Sequence, residues 1–184
     1  LDSRVAADRS VRVAWVADAP EMGRVQLAAW RASYAGVLPV TALDDLDADE
    51  VASAWATSIR RPPLATYRAL VALERNALVG FVALGPSDDP DADAGRDAEL
   101  SVLVVDPPAR GRGHGSRLLA AAADTARADG FTRLTTWVLA DDDAVRGFLR
   151  SAGWEPDGAH REVTLPDDAG STRQVRLHTS VEET

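Results

Sequence analysis

The segment that most restricts this chain starts as an apolar run from Glu99 to Val105. Asp106-Pro107-Pro108-Ala109 breaks the run, and Arg110-Gly111-Arg112-Gly113-His114-Gly115 follows, leading into an Ala- and Leu-rich stretch from Ser116 to Asp129. Read in order, this is a strand, a proline break, a glycine-rich turn and a helix closed by Gly130. A turn of this kind exposes several backbone N–H groups, and the helix behind it adds the positive end of its dipole. Gly113 and Gly115 permit a backbone approach that a Cβ would block. Arg110 and Arg112 bring forked donors suited to phosphate oxygens. A diphosphate-bearing ligand is the natural partner. On this segment alone, a glycine-rich surface turn without a ligand stays open. A Rossmann dinucleotide site fits poorly, because Ser116 stands where its third glycine belongs.

The rest of the chain reads as alternating strands and helices. Ser10 to Val16 alternates as a first strand, with Val11, Val13 and Trp15 on one face. Asp18 and Pro20 then mark a helix start, and Gly36 ends that helix beyond Tyr34. Thr41 to Arg60 reads as one further helix, stopped by Arg61-Pro62-Pro63. Tyr67 to Leu73 and Leu78 to Leu84 read as a hairpin. Gly85 to Asp97, with five aspartates, reads as a solvated, mobile loop; a calcium loop is disfavoured because the Gly and Glu spacing of an EF-hand is missing. Arg133 to Leu139 is another strand, and Asp141-Asp142-Asp143 offers a cap for a short helix ending at Gly153. Arg161 to Leu165 and Arg173 to His178 read as a terminal hairpin. Residues 1–184 are expected to form a single domain, with residues 1–9 as a flexible N-terminal segment.

Composition removes whole classes of chemistry. With no cysteine there is no thiolate nucleophile, disulfide or cysteine-ligated zinc, and the three histidines have no metal spacing, so no metal is expected. There is no lysine either, which excludes Schiff-base chemistry and a Walker-type phosphate loop. Twenty arginines against 29 carboxylates give a formal charge of −9, so no nucleic-acid partner is expected, and the balance leans slightly toward cationic substrates. No apolar run is long enough to span a bilayer, so no membrane partner is expected. Residues 1–10 lack the apolar stretch of a secretory signal, and cytoplasm is the expected compartment.

Arg110-x-x-Gly113-x-Gly115 after an apolar strand resembles the acetyl-CoA diphosphate loop of the GNAT family of N-acetyltransferases. Three further segments resemble the same family in the same order. Glu99 to Val105 is similar to its fourth strand, Ala144 to Trp154 to its last helix, and Trp30 to Pro39 to the first-helix region of a common bacterial branch. The resemblance runs from about Val11 to His178. It implies an α/β fold: a mixed, mostly antiparallel sheet of about seven strands, helices on both faces, and a splay between the fourth and fifth strands. It also implies an acetyl-CoA-dependent N-acetyltransferase acting on a primary amine, either a small molecule or a peptide N-terminus, by direct attack in a ternary complex. A homodimer is compatible with it.

The resemblance further implies residue roles. Leu103, Val104 and Val105 pair their backbone with the pantetheine arm, and Arg110, Gly111, Arg112, Gly113, His114, Gly115 and Ser116 hold the diphosphate. Asp141 stands where the family often has Asn near the pantetheine; a plain helix cap serves equally well. Glu99 is the expected general base. Trp30, Tyr34 and Leu38 are candidates for the acceptor wall. The sequence departs from the family at Leu149, where many members carry a Tyr that protonates the departing thiolate. The general acid is therefore unassigned, and a catalytically silent acyl-CoA-binding sensor is the alternative.

Overall fold

The computed structural model describes residues 8–165 and 170–182. Seven strands form one sheet in the order β1-β2-β3-β4-β5-β7-β6. They are β1 (Arg9–Val13), β2 (Arg68–Glu74), β3 (Ala77–Pro86), β4 (Asp97–Val105), β5 (Arg133–Leu139), β6 (Glu155–Thr164) and β7 (Ser171–Ser180). The helices are α1 (Ala19–Ser33), α2 (Val40–Asp44), α3 (Ala48–Arg60), α4 (His114–Ala128) and α5 (Asp143–Ser151). All strand pairs are antiparallel except β4–β5.

Period-two alternation sorts the strand side chains onto two faces. On one face Val82, Leu84, Leu100 and Leu134 meet Leu118 and Leu119 of α4 and Leu149 of α5. On the other, Val71, Phe81 and Val104 meet Met22, Val25 and Ala29 of α1, with Trp55 of α3 packed against them. Trp55 lies edge-on to Phe81 with centroids 5.0 Å apart and donates to Gln26 Oε1 at 2.6 Å. Phe81 is fully buried, which contributes about 1.5–3 kcal/mol.

Several local expectations needed correction. The first strand stops at Val13, and Val13 and Trp15 are exposed. Asp18 is the reason: its carboxylate accepts from the Trp15 N–H (2.7 Å) and from both ends of the Arg12 guanidinium, closing a 3-10 turn over Val16–Asp18. Its side chain therefore makes no cap bond to α1. The expected helix from Thr41 to Arg60 is two helices. Asp47 breaks it by accepting from the Asp49 N–H at 2.8 Å, which starts α3. The expected flexible N-terminal segment lies outside the described residues except at its end, where Asp8 accepts from the Arg75 N–H and Arg9 opens β1.

The acidic loop after β3 is exposed over most of its length, as expected, but is tethered by ion pairs. Arg176 of β7 donates to Asp89 (3.0 Å), Asp91 (2.6 Å) and Asp157 (2.7 Å), and Arg133 joins the cluster through Asp157 (2.7 Å) and Asp97 (3.5 Å). Trp137 Nε1 also donates to Asp89. Arg176 holds the Asp91 carboxyl down to about 2. Burial pushes Asp157 up, but the Ala159 N–H and Arg176 outweigh it and hold it below the usual range. Both folded-state values lie below the unfolded one, so this stabilisation is present above about pH 4 and is lost as pH falls through the depressed values. Arg176→Met leaves Asp89 and Asp91 without their guanidinium partner and Asp157 with Arg133 alone. It is expected to cost about 3 kcal/mol of stability, read by urea denaturation at pH 7. A loss under 1 kcal/mol would mean that the loop is held by something else.

Candidate active site

The sheet opens at its centre. β4 and β5 pair only at Asp97–Arg133, Ala98–Leu134 and Glu99–Thr135. At the next step the Leu100 carbonyl accepts from the Thr136 hydroxyl (3.0 Å) instead of a ladder N–H, while β5 continues along β7 to Leu139. Beyond that point β4 has a neighbour on one side only. Ser101 is a bulge against β3, since Ala83 faces Val102 and Leu84 faces Leu100. In the antiparallel ladder, backbone groups alternate sides. The Asp106 N–H bonds to Val79 across β3, so the N–H and C=O groups of Leu103 and Val105 point into the gap. Val104 differs from the other two: its backbone is committed to the ladder with Phe81, and its side chain is core.

The glycine-rich turn lies where β4 hands over to α4. Gly111 (φ +74°) and Gly113 (φ +84°) adopt left-handed conformations that other residues reach only at a cost. Among the described residues, the N–H groups from Gly111 to Ser116 have no hydrogen-bond acceptor; the first paired one is Arg117, to Gly113 O at 3.1 Å. These donors lie at a helix N-terminus, the arrangement that suits phosphate. At Gly115 the structure adds a packing reason for glycine: a Cβ there would lie 3.0 Å from the Phe148 ring of α5. Arg110 donates through Nε to the Val105 carbonyl at 3.3 Å.

His114, which the resemblance places in the diphosphate turn, sends its side chain inward. It is buried, with Nε2 2.9 Å from Glu74 Oε2 at the end of β2. Glu74 also accepts from Arg112 at 3.3 Å, and Arg9 donates to the Arg112 carbonyl at 3.0 Å. His114, then Arg112, hold the Glu74 carboxyl below its ordinary value. The turn is thus braced from the second strand, which nothing in its own sequence indicates. Glu74→Gln weakens both contacts and is expected to raise the Kd for CoA several-fold with little change in fold, as measured by calorimetric titration. An unchanged Kd would show the brace to be dispensable.

Glu99 lies at the split, half-buried, with its side chain on the same sheet face as Thr135 and Trp137. Burial pushes its carboxyl above the ordinary value; Asp89 and Asp88 add to this, and Arg161 and Arg176 oppose it. Its other neighbour is Gly85, and the Tyr67 ring covers Gly85 so closely that a Cβ there would lie 2.4 Å from it. Tyr67 and Trp137 therefore flank Glu99, and neither was foreseen. Trp30 and Tyr34 meet edge-on at the end of α1, with centroids 6.3 Å apart. Burial, and then the charge of Asp142, push the Tyr34 phenol up, so it stays protonated. Leu38, half-buried, follows in the next turn and donates its N–H to the Tyr34 carbonyl. Asp141 is exposed in the turn after β5, and the cap of α5 is Asp142, which accepts from the Val145 N–H at 3.0 Å. Leu149 is buried in the core.

Comparison with known proteins agrees with this architecture. Residues 28–154 match the acetyltransferase (GNAT) family. Over 136 residues the chain is 24% identical to the uncharacterized N-acetyltransferase YuaI of Bacillus subtilis (strain 168), covering 74% of this chain and 75% of that protein. The fold superposes on the PaiA N-acetyltransferase of Thermoplasma acidophilum, solved in complex with coenzyme A, with a TM-score of 0.74 at 17% identity over 94% of this chain and 98% of that one. It also superposes on YncA of Salmonella typhimurium, solved with its cofactor acetyl-CoA, with a TM-score of 0.72 at 20% identity over 96% and 95% of the two chains. Among the described residues no helix is long and apolar enough to cross a membrane. With residues 28–154 matched by the family and the fold shared over 94% of the chain, the chain belongs to the GNAT family of acetyltransferases.

Proposed function

We propose that this protein transfers the acetyl group of acetyl-CoA to a primary amine by direct attack within a ternary complex. One observation carries the reading: the open edge of β4 runs from Glu99 at the split to a turn of unpartnered N–H groups at its far end. An extended amide chain with a diphosphate at one end and a thioester at the other is complementary to that shape. Leu103 and Val105 offer strand-like pairing to the amides, and the turn from Gly111 to Ser116 offers donors to the diphosphate. The bound co-substrate supplies an activated acetyl thioester.

The chain's own residues supply the proton handling. An alkyl amine, with a pKa of about 10, is mostly protonated at neutral pH and must lose a proton before it can attack. Glu99 is the base, directly or through water, because burial at the split raises its proton affinity. A backbone N–H at the open edge of β4 donates to the thioester carbonyl as negative charge develops there. Leu149 leaves no phenol on α5, but a thiol of pKa about 8.5 departs without full protonation. Tyr34, held protonated, is a second source of that proton. Thiol release from acetyl-CoA across a broad amine panel tests the proposal. Turnover supports the enzyme, whereas tight CoA binding with no release for any amine would identify a sensor.

A further inference from the structure

Resting on the acetyltransferase reading, we infer that the acceptor is a small amine that also carries a carboxylate, of the amino-acid class, and that Arg161 on β6 receives this carboxylate. Three arginines lie on this side of the open half of the sheet. Arg133 and Arg176 are committed to the cluster of Asp89, Asp91, Asp97 and Asp157. Arg161 is differently placed. Its guanidinium carbon lies 4.3 Å over the Trp137 ring, and its Nε donates to Gln174 Oε1 at 2.7 Å. Among the described residues it forms no ion pair. The stack and the Nε bond fix the plane of the guanidinium, and its terminal nitrogens remain for a forked carboxylate contact.

Position completes the argument. Glu99 and Trp137 share one sheet face, and Arg161 is close enough for its charge to act on the Glu99 carboxyl. An amine held at Glu99 thus has a cation within reach across an indole surface. The net negative charge leans toward cationic substrates, but in the acidic loop Asp89 and Asp91 are paired with Arg176, and Asp97 with Arg133. A peptide N-terminus has no carboxylate adjoining its amine and leaves Arg161 unused.

The test compares glutamate, methionine and phenylalanine, each with its decarboxylated amine and its carboxamide, using wild type, Arg161→Gln and Arg161→Lys. Wild type is expected to favour at least one amino acid over its two neutral counterparts by about 10- to 100-fold in kcat/KM, mostly through KM. In Arg161→Gln that ratio collapses toward one, and Arg161→Lys restores part of it. Equal or faster turnover of the amines, or a preference that survives Arg161→Gln, overturns the inference. CoA titration of each variant separates the two claims. If CoA binds and amines are acetylated without regard to the carboxylate, only the acceptor class is wrong. If CoA fails to bind, or binds with no amine acetylated, the acetyltransferase reading itself fails.

Discussion

Replacing Gly113 with valine should raise the Kd for CoA by about 100-fold or more and leave a folded protein. Gly113 holds φ at +84°, and a β-branched residue there is forced out of that conformation or strained by about 1–2 kcal/mol. Its left-handed turn is what aims the flanking N–H groups; moving φ re-aims them. Losing two hydrogen bonds to a charged phosphate costs about 3 kcal/mol, which is about 100-fold. The fold should survive, because among the described residues the nearest atom a new Cβ meets is the end of the Arg117 side chain, at 3.1 Å. Calorimetric titration with CoA gives the first result and a thermal melt the second. Wild-type affinity in the variant would remove the diphosphate from this turn.

Glu99→Gln is expected to lower kcat/KM by about 10²–10⁴-fold, the usual scale for losing a positioned base, while CoA affinity stays at the wild-type value. Wild-type activity should rise with pH through the Glu99 ionisation, which burial places above the ordinary Glu value, because only the carboxylate can accept the proton. The variant has no such limb, and its residual rate should follow deprotonation of the free amine. A Gln variant that keeps both the rate and the acid limb would mean that the base is elsewhere.

Much of the framework was legible from local pattern. The apolar run ending at Val105, the prolines, the three glycines and the capped helix lie contiguous in the chain, and each constrains its immediate neighbours. The Arg133 to Leu139 strand and the α5 cap region were legible for the same reason. Errors arose where a polar side chain took over a local backbone group. Asp18 shortened β1, and Asp47 split a helix that looked continuous by hydrophobic spacing. The site was legible along β4 and its turn but not around them. Tyr67 covers Gly85, which β3 places beside Glu99, and His114 meets Glu74 at the end of β2. The tether on the aspartate-rich loop was not legible because its cation, Arg176, lies 87 residues from Asp89.

The sequence by itself determined the order of strands and helices, the anion-seeking turn and the carboxylate at the head of the central strand. Hydrophobic period, proline geometry and glycine freedom act over a few neighbouring residues, so the chain displays them directly. The tertiary structure decided which charges are committed and which remain for a ligand. It tied up the carboxylates around Arg176, braced the turn through Glu74, and left Glu99 and Arg161 on one open face. Those outcomes depend on ion pairs and packing between distant segments, and only folding brings their partners together.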